Sequence, residues 1–443
     1  MTGGGVRRGR RDQTPREGGA VRRRPPPGAG REAVMHRGPG RMLVAIVLAA
    51  VSAGCATRER YTSLDLAGLP CEGGDAPGFF FPVEFTADGA LRYPDQHAAL
   101  EARMRTGEVT DLVVFVHGWS RNPASAEGDY RNFLCRLHRK MRDRVARGEQ
   151  VARVDRERRA GSASDADVER SLRGAPAAED RAAAGRGLVV VGVFWPSTLT
   201  RRASEPTLLK PVSYFRIRDR ADRLARTGMP ALLRDLGGWM AAHAASTRRP
   251  RVQLIGHSFG ARVVAASLGT LGERDELAGI LSSIGKVNVT LLNAAVAPER
   301  FDWLFRAVER SRPAGGATRF VDTDSFLFNL HSRHDAANRR LFPLASAFND
   351  EPSVCAAGAC GVPRFATVVV DAAGEPVLAP RSAADAGTVR VKALNIDATA
   401  IVFDHSDIYK GRVASLLARL AYDDALLDGL PTTPATQAER APP

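Results

Sequence analysis

"VQLIGHSFGARVVAAS", residues 252–267, sets a serine between two glycines with an apolar run on either side. The first run, 252–255, has the length of a buried strand, and the second, 259–267, has a helical pattern. Ser258 therefore falls at a strand-to-helix junction. A turn that sharp strains its central residue and brings neighbouring chain close, which glycines at 256 and 260 permit. It would hold the Ser258 hydroxyl above the C-terminal edge of a sheet, beside a helix N-terminus that favours developing negative charge. The plainer reading is a small polar residue in a glycine-rich turn. The strand and helix on its two sides favour a nucleophile.

Outward from that stretch, the chain repeats the same alternation. "DLVVFVHGW" (111–119) is a buried-strand run that stops at His117-Gly118, and a polar helix follows with Tyr130, Phe133, Leu134 and Leu137 at helical spacing. "GLVVVGVFWPS" (187–197), "RVQLIG" (251–256), "KVNVTLLNAA" (286–295), "DSFLFNLHS" (324–332), "RFATVVVD" (364–371) and "TVRVKALNI" (388–396) read as further strands. Helical patterns lie at 212–246, 259–271 and 299–310. Apolar strands without period-2 alternation, separated by helices, predict an α/β fold with a mainly parallel sheet covered on both faces. Residues 55–107 read as an irregular linker or entry segment, 108–425 as the folded domain and 426–443 as a disordered tail. Within the domain, 148–186 is rich in Arg, Asp, Glu, Ala and Gly and poor in large apolar residues, and it reads as a solvated or disordered insertion. A lid is the sharper alternative, but no apolar face for lipid is visible there.

The 443 residues carry 63 Lys and Arg against 49 Asp and Glu. Spread evenly, that excess would suggest a nucleic-acid partner. Instead, residues 1–41 hold eleven arginines against Asp12, Glu17 and Glu32, so eight of the fourteen net positive charges sit in a Gly/Pro/Arg-rich leader. The body has little net charge, and no nucleic-acid partner is expected. The leader runs into "RMLVAIVLAAVSAGC" (41–55), an arginine-flanked apolar stretch followed by small residues and a cysteine. Too short to span a bilayer comfortably, it reads as a secretory signal within 1–54. Initiation at Met35 would leave residues 1–34 untranslated. The small residues before Cys55 resemble the lipobox of bacterial lipoproteins, which implies acylation of Cys55 and a lipid-anchored position on the cell-envelope membrane. A plain signal peptide cut elsewhere is the alternative. The remaining cysteines are even in number, as disulfides require in an exported protein: Cys355 with Cys360 in a small loop, and Cys71 with Cys135. No histidine pair stands beside them at ligand spacing and no phosphate-cradling G-x-x-x-x-G-K-[ST] loop appears, so neither a metal nor an organic cofactor is expected.

The stretch "GHSFG" (256–260) resembles the nucleophile elbow of the α/β-hydrolase superfamily, and the resemblance extends over roughly residues 108–420. In that superfamily an earlier strand ends in His-Gly and the next residue donates a backbone N–H to the oxyanion. "VFVHGWS" matches, which implies an oxyanion hole formed by the N–H groups of Trp119 and Phe259. The family's acid follows a late strand, where "FNLHSRHDAAN" offers Asp335. Its histidine follows the last strand, where "IVFDHSDIY" offers His405. The order Ser258, Asp335, His405 is the superfamily's order, and His405 is the only one of nine histidines beyond Asp335. The competing readings are a surface-loop role for His405 and a helix N-cap role for Asp335, with Asp302 and Asp397 as rival acids. His257 reads as structural; His331 and His334 border Asp335 and are placed either to hydrogen-bond it or to be solvated. "VFWPS" (193–197) and "SRHD" (332–335) are similar to a bacterial branch of secreted or lipoprotein α/β hydrolases with little assigned biology, in which Trp195 and Tyr214 would be substrate-pocket candidates or core residues.

The resemblance implies an exported serine hydrolase, carboxylesterase-like, acting on a small-molecule or lipid ester through an acyl-enzyme. Amide hydrolysis or acyl transfer would use the same residues. From another class, an envelope-anchored binding or scaffold protein on a hydrolase fold remains the alternative, with the charged insertion as a docking element. The anchor is directly testable. Cys55→Ser should move the protein from the membrane to the soluble fraction; continued membrane fractionation of the variant would exclude acylation of Cys55 as the anchor.

Overall fold

The computed structural model describes residues 79–119, 123–160, 187–198, 210–242, 250–282, 284–301, 325–342, 361–363, 365–377, 390–430 and 433–434, with short pieces between 162 and 184. The leader, Cys55, Cys71, Asp302, Cys355 and Cys360 lie outside the described residues. So does the tail beyond 434.

Nine strands form one sheet: β1 (Phe80–Glu84), β2 (Asp111–Val116), β3 (Leu188–Phe194), β4 (Arg251–His257), β5 (Lys286–Leu292), β6 (Phe326–His331), β7 (Ala366–Val370), β8 (Pro376–Val377) and β10 (Ala393–Asp397). Their order is β1-β3-β2-β4-β5-β6-β10-β7-β8, with every pair parallel except β7 with β8. A separate antiparallel pair joins β9 (Arg390–Val391) to β11 (Thr433–Pro434). The α/β class with a mostly parallel sheet is as the sequence predicts. Strand β2 explains why period-2 patterning is missing. Leu112, Val114 and Val116 enter one buried cluster while Val113 and Phe115 enter the other, so both faces must be apolar.

The helices divide between those clusters. α1 (Pro94–Met104), α3 (Lys210–Arg226), α4 (Gly228–Ala242) and α5 (Phe259–Glu273) contribute to the first, together with the short α6 (Leu277–Ser282). α2 (Pro123–Arg159) and α7 (Gly411–Tyr422) pack along each other in the second, followed by α8 (Asp424–Gly429).

Two expectations change. The entry segment is not irregular throughout, since β1 and α1 lie within it. Pro82 masks the strand in the sequence, yet β1 is the sheet's edge, where a missing N–H is tolerated. Pro94 occupies the first turn of α1, a position where proline suits a helix. The charged insertion is likewise helical at its start, because α2 continues to Arg159. Met141, Val145, Ala146, Gln150 and Val154 form one buried stripe along it, too sparse in large apolar residues for composition to reveal.

A buried ion pair ties α5 to α3. Arg262 Nε and Nη2 donate to the two carboxylate oxygens of Asp222 at 2.8 and 2.9 Å. Burial disfavours the Asp222 charge, but the hydrogen bond and charge of Arg262, with Arg300 and Arg226 nearby, outweigh it and hold the carboxyl below its ordinary range. Arg262→Met leaves that carboxylate buried without its partner and should destabilise the protein by about 3–5 kcal/mol in chemical denaturation. Asp222→Leu combined with Arg262→Met should recover most of the loss; equal stability of wild type and the single variant would remove this pair from the forces fixing α5.

Candidate active site

The strand order reverses between β2 and β4. From β2 the chain runs outward to β3, then returns to place β4 on the other side of β2. Crossovers diverge at such a point and leave a crevice beyond the strands' C-terminal ends. His117-Gly118-Trp119 leaves β2 there, and Ser258 leaves β4.

Ser258 has φ 55° and ψ −119°, a conformation that L-residues rarely adopt. Its flanking glycines are dictated by space. A Cβ on Gly260 would stand 2.1 Å from the Val116 carbonyl oxygen and 2.5 Å from that of His117, and one on Gly256 would stand 2.5 Å from the Ala261 Cα. The turn is bonded on both sides: the Ser258 N–H donates to the Leu292 carbonyl at 2.9 Å, and the Ser258 carbonyl accepts from the N–H groups of Ala261 and Ala295 at 3.1 and 3.2 Å. Ser258 Oγ itself makes no hydrogen bond among the described residues.

The turn after β2 is braced from β3. The Trp195 N–H donates to His117 Nε2 at 3.3 Å, which leaves Nδ1 protonated to donate to the Gly118 carbonyl at 2.9 Å. The Trp195 indole N–H donates to the His117 carbonyl at 3.0 Å, and the two rings stack. Held this way, Gly118 lies against the Ser258 turn, where a Cβ would come within 2.7 Å of the Ser258 Cβ. The N–H groups of Trp119 and Phe259, the expected oxyanion donors, make no hydrogen bond among the described residues.

Asp335 and His405 come from the ends of β6 and β10 and meet. His405 Nδ1 donates to Asp335 Oδ2 at 2.8 Å, which leaves Nε2 unprotonated in the neutral ring. Asp335 also accepts from the Asn338 backbone N–H through Oδ1 and from the Asn338 side-chain amide through Oδ2, both at 3.0 Å. The N-cap role and the acid role are thus compatible in one carboxylate. The loop bearing His405 is held by its own carbonyl, which accepts from His257 Nε2 at 3.0 Å and Asn293 Nδ2 at 3.3 Å. His257 Nδ1 in turn accepts from the Tyr409 hydroxyl at 3.2 Å, so His257 is a support, as its sequence position suggests. Ser332 Oγ donates to the Val402 carbonyl at 2.5 Å and the Arg333 N–H to Thr399 Oγ1 at 3.0 Å, stitching the acid loop to the histidine loop.

Rival assignments sit apart. Asp397 binds Thr399 and Arg333, and despite a burial penalty these contacts and nearby His331 hold its carboxyl below the ordinary range. His331 is buried without a hydrogen bond for either ring nitrogen; burial pushes its pKa down to about 4, with Arg333 assisting and Asp397 opposing. His334 stacks on Phe403. Trp195 is fully buried in its bracing role, while Tyr214 packs edge-on against Trp119, Phe259 and Phe342 beside the oxyanion turn. Cys135 is disulfide-bonded, and the other four cysteines lie outside the described residues. Asn293, Asn338 and Tyr409 are positioning residues that sequence reading does not single out. Asn338 alone carried a signal, standing three residues after an aspartate at a helical turn.

Among the described residues no group of three or more His, Cys, Asp and Glu side chains is placed to hold a metal ion. No helix there is long and apolar enough to cross a membrane. No protein-family model, curated protein or solved structure matches the chain. Gly260→Ala drives a Cβ into the Val116 and His117 carbonyls and should cost about 3 kcal/mol or more, read as a lowered denaturation midpoint. An unchanged midpoint would contradict the close approach of the two turns.

Proposed function

We propose that the protein is a serine hydrolase with an α/β-hydrolase fold, most suited to carboxylic esters, and that it works from the cell envelope through an acyl anchor at Cys55. One observation carries the catalytic reading: the Asp335–His405 hydrogen bond forms at the same sheet edge as a serine held at positive φ between two sterically required glycines. A turn serine with no chemical duty gives no reason to maintain that strain.

In this reading Ser258 Oγ attacks the substrate carbonyl carbon while His405 Nε2 takes its proton. Asp335 keeps the imidazole in the required tautomer and stabilises the imidazolium. The Trp119 and Phe259 N–H groups receive the oxyanion, each contributing about 3 kcal/mol to the transition state in sites of this kind. The tetrahedral intermediate collapses as His405 returns the proton to the leaving alkoxide, and an acyl-Ser258 remains. Water, activated by His405, then releases the acid. The His405 side chain is 25 % exposed, which supports water rather than an excluded second substrate as the acyl acceptor. A Ser258 hydroxyl not yet bonded to His405 is ordinary for a site without substrate.

Fluorophosphonate labelling of the mature protein tests the assignment, with mass spectrometry of the modified peptide. A stoichiometric adduct on Ser258 is expected, and Ser258→Ala should lose both the label and hydrolysis of an activated short-chain ester by at least about 10⁴-fold. Failure of the folded protein to label, or a variant that retains substantial activity, would refute the nucleophile.

A further inference from the structure

On the face covered by α2 and α7, residues between 140 and 147, together with Ala175, Pro176, Arg181, Ser415 and Ala418, line a cavity of about 420 Å³. Among the described residues, Lys140, Arg142, Arg144, Arg147 and Arg181 line it together with one carboxylate, Asp143. That carboxylate lies 3.4 Å from its neighbour Arg142. Arg144 reaches Asp423 at 3.4 Å, but Asp423 is also approached by Arg419 at 3.5 Å. Arg147 donates to the backbone carbonyl of Gly174 and Arg181 to that of Pro176.

This arrangement opposes helix stability. Positions 140, 144 and 147 form one stripe of α2, where like charges repel. Burial disfavours the Arg144 charge, and Arg419 and Arg147 add to that, so its guanidinium is held below the usual value although Asp423 opposes the shift. A second cavity, of about 510 Å³ beside α3 and α5, sets the contrast: there Arg226, Arg274 and Arg300 face Asp222, Glu273 and Glu299, and the charge balances. A convex basic face would simply be solvated. Here two separate segments of chain converge their cations on one concavity.

We propose that this cavity, distinct from the Ser258 site, binds a phosphate-bearing anion: a free organic phosphate or the headgroup of an anionic lipid. Guanidinium forks match phosphate oxygens in geometry as well as charge. The volume lies in the range of small-molecule sites, so a phosphate with an organic substituent can be accommodated. Because Arg181 comes from the charged insertion, the same contacts would fasten that insertion to α2.

The full chain carrying Cys55→Ser, so that no acyl anchor contributes, is titrated with inorganic pyrophosphate and with phosphatidylglycerol or phosphatidylcholine vesicles. It is compared with the same chain carrying Arg144→Gln, Arg147→Gln and Arg181→Gln, and with Arg181→Gln alone in case the triple variant misfolds. Binding of pyrophosphate that weakens about tenfold or more in the variants assigns a free phosphate. Binding confined to phosphatidylglycerol vesicles, with the same loss, assigns a lipid headgroup. No binding of either probe, or binding indifferent to these substitutions, overturns the proposal. Neither outcome depends on hydrolysis at Ser258.

Discussion

The approach of Gly260 to the carbonyls of Val116 and His117 is the contact on which the site depends. It lets the Ser258 turn and the turn after β2 share a space that a single methyl group would fill. Backbone can come so near only because β2 and β4 are adjacent and parallel, with Val116 opposite Gly256. Both turns then open into the crevice that the reversal of strand order creates. Strain at Ser258 is sustained by hydrogen bonds to Leu292, Ala261 and Ala295, so neighbouring elements pin a residue whose own preference is to relax.

Support for the other two catalytic candidates is layered in the same way. His117, itself buried, is read from both ends by Trp195 and passes that order to Gly118. His257 joins the Tyr409 hydroxyl to the His405 carbonyl, so the residue beside Ser258 also sets the height of the loop bearing His405. Asp335 spends one oxygen on the turn that follows it and shares the other between Asn338 and His405. Loops from β6 and β10 are held together by Ser332 and Arg333 before any catalytic contact is counted. Geometry of this sort is fixed by hydrogen bonds to backbone, which leave little freedom for side chains that must meet within a few tenths of an ångström.

Legibility in the sequence varied with how local the determinant was. Fully buried strands such as β2, β3 and β5 announce themselves because both faces demand apolar residues. β1 was hidden by Pro82, since whether a proline is tolerated depends on being at the edge, and edges are a property of the assembled sheet. The continuation of α2 to Arg159 was hidden for a related reason: its buried stripe includes Ala146 and Gln150, residues that acquire an apolar-side role only through what packs over them. Asp335 was legible as a candidate acid and, alternatively, as a helix N-cap; that one carboxylate bonds both His405 and Asn338 was not.

By itself the sequence determined the α/β class and the strand–turn–helix around Ser258, because these follow from local periodicity; the reason for glycine at 260 is tertiary, since the atoms a Cβ would meet there belong to Val116 and His117. Tertiary structure alone decided that Asp335 rather than Asp397 meets His405, that Trp195 braces a turn rather than lining open space, and that the cations of α2 and the charged insertion face one cavity. Each of these joins residues far apart in the chain, and their distance is set by strand order and helix packing, which no single segment encodes.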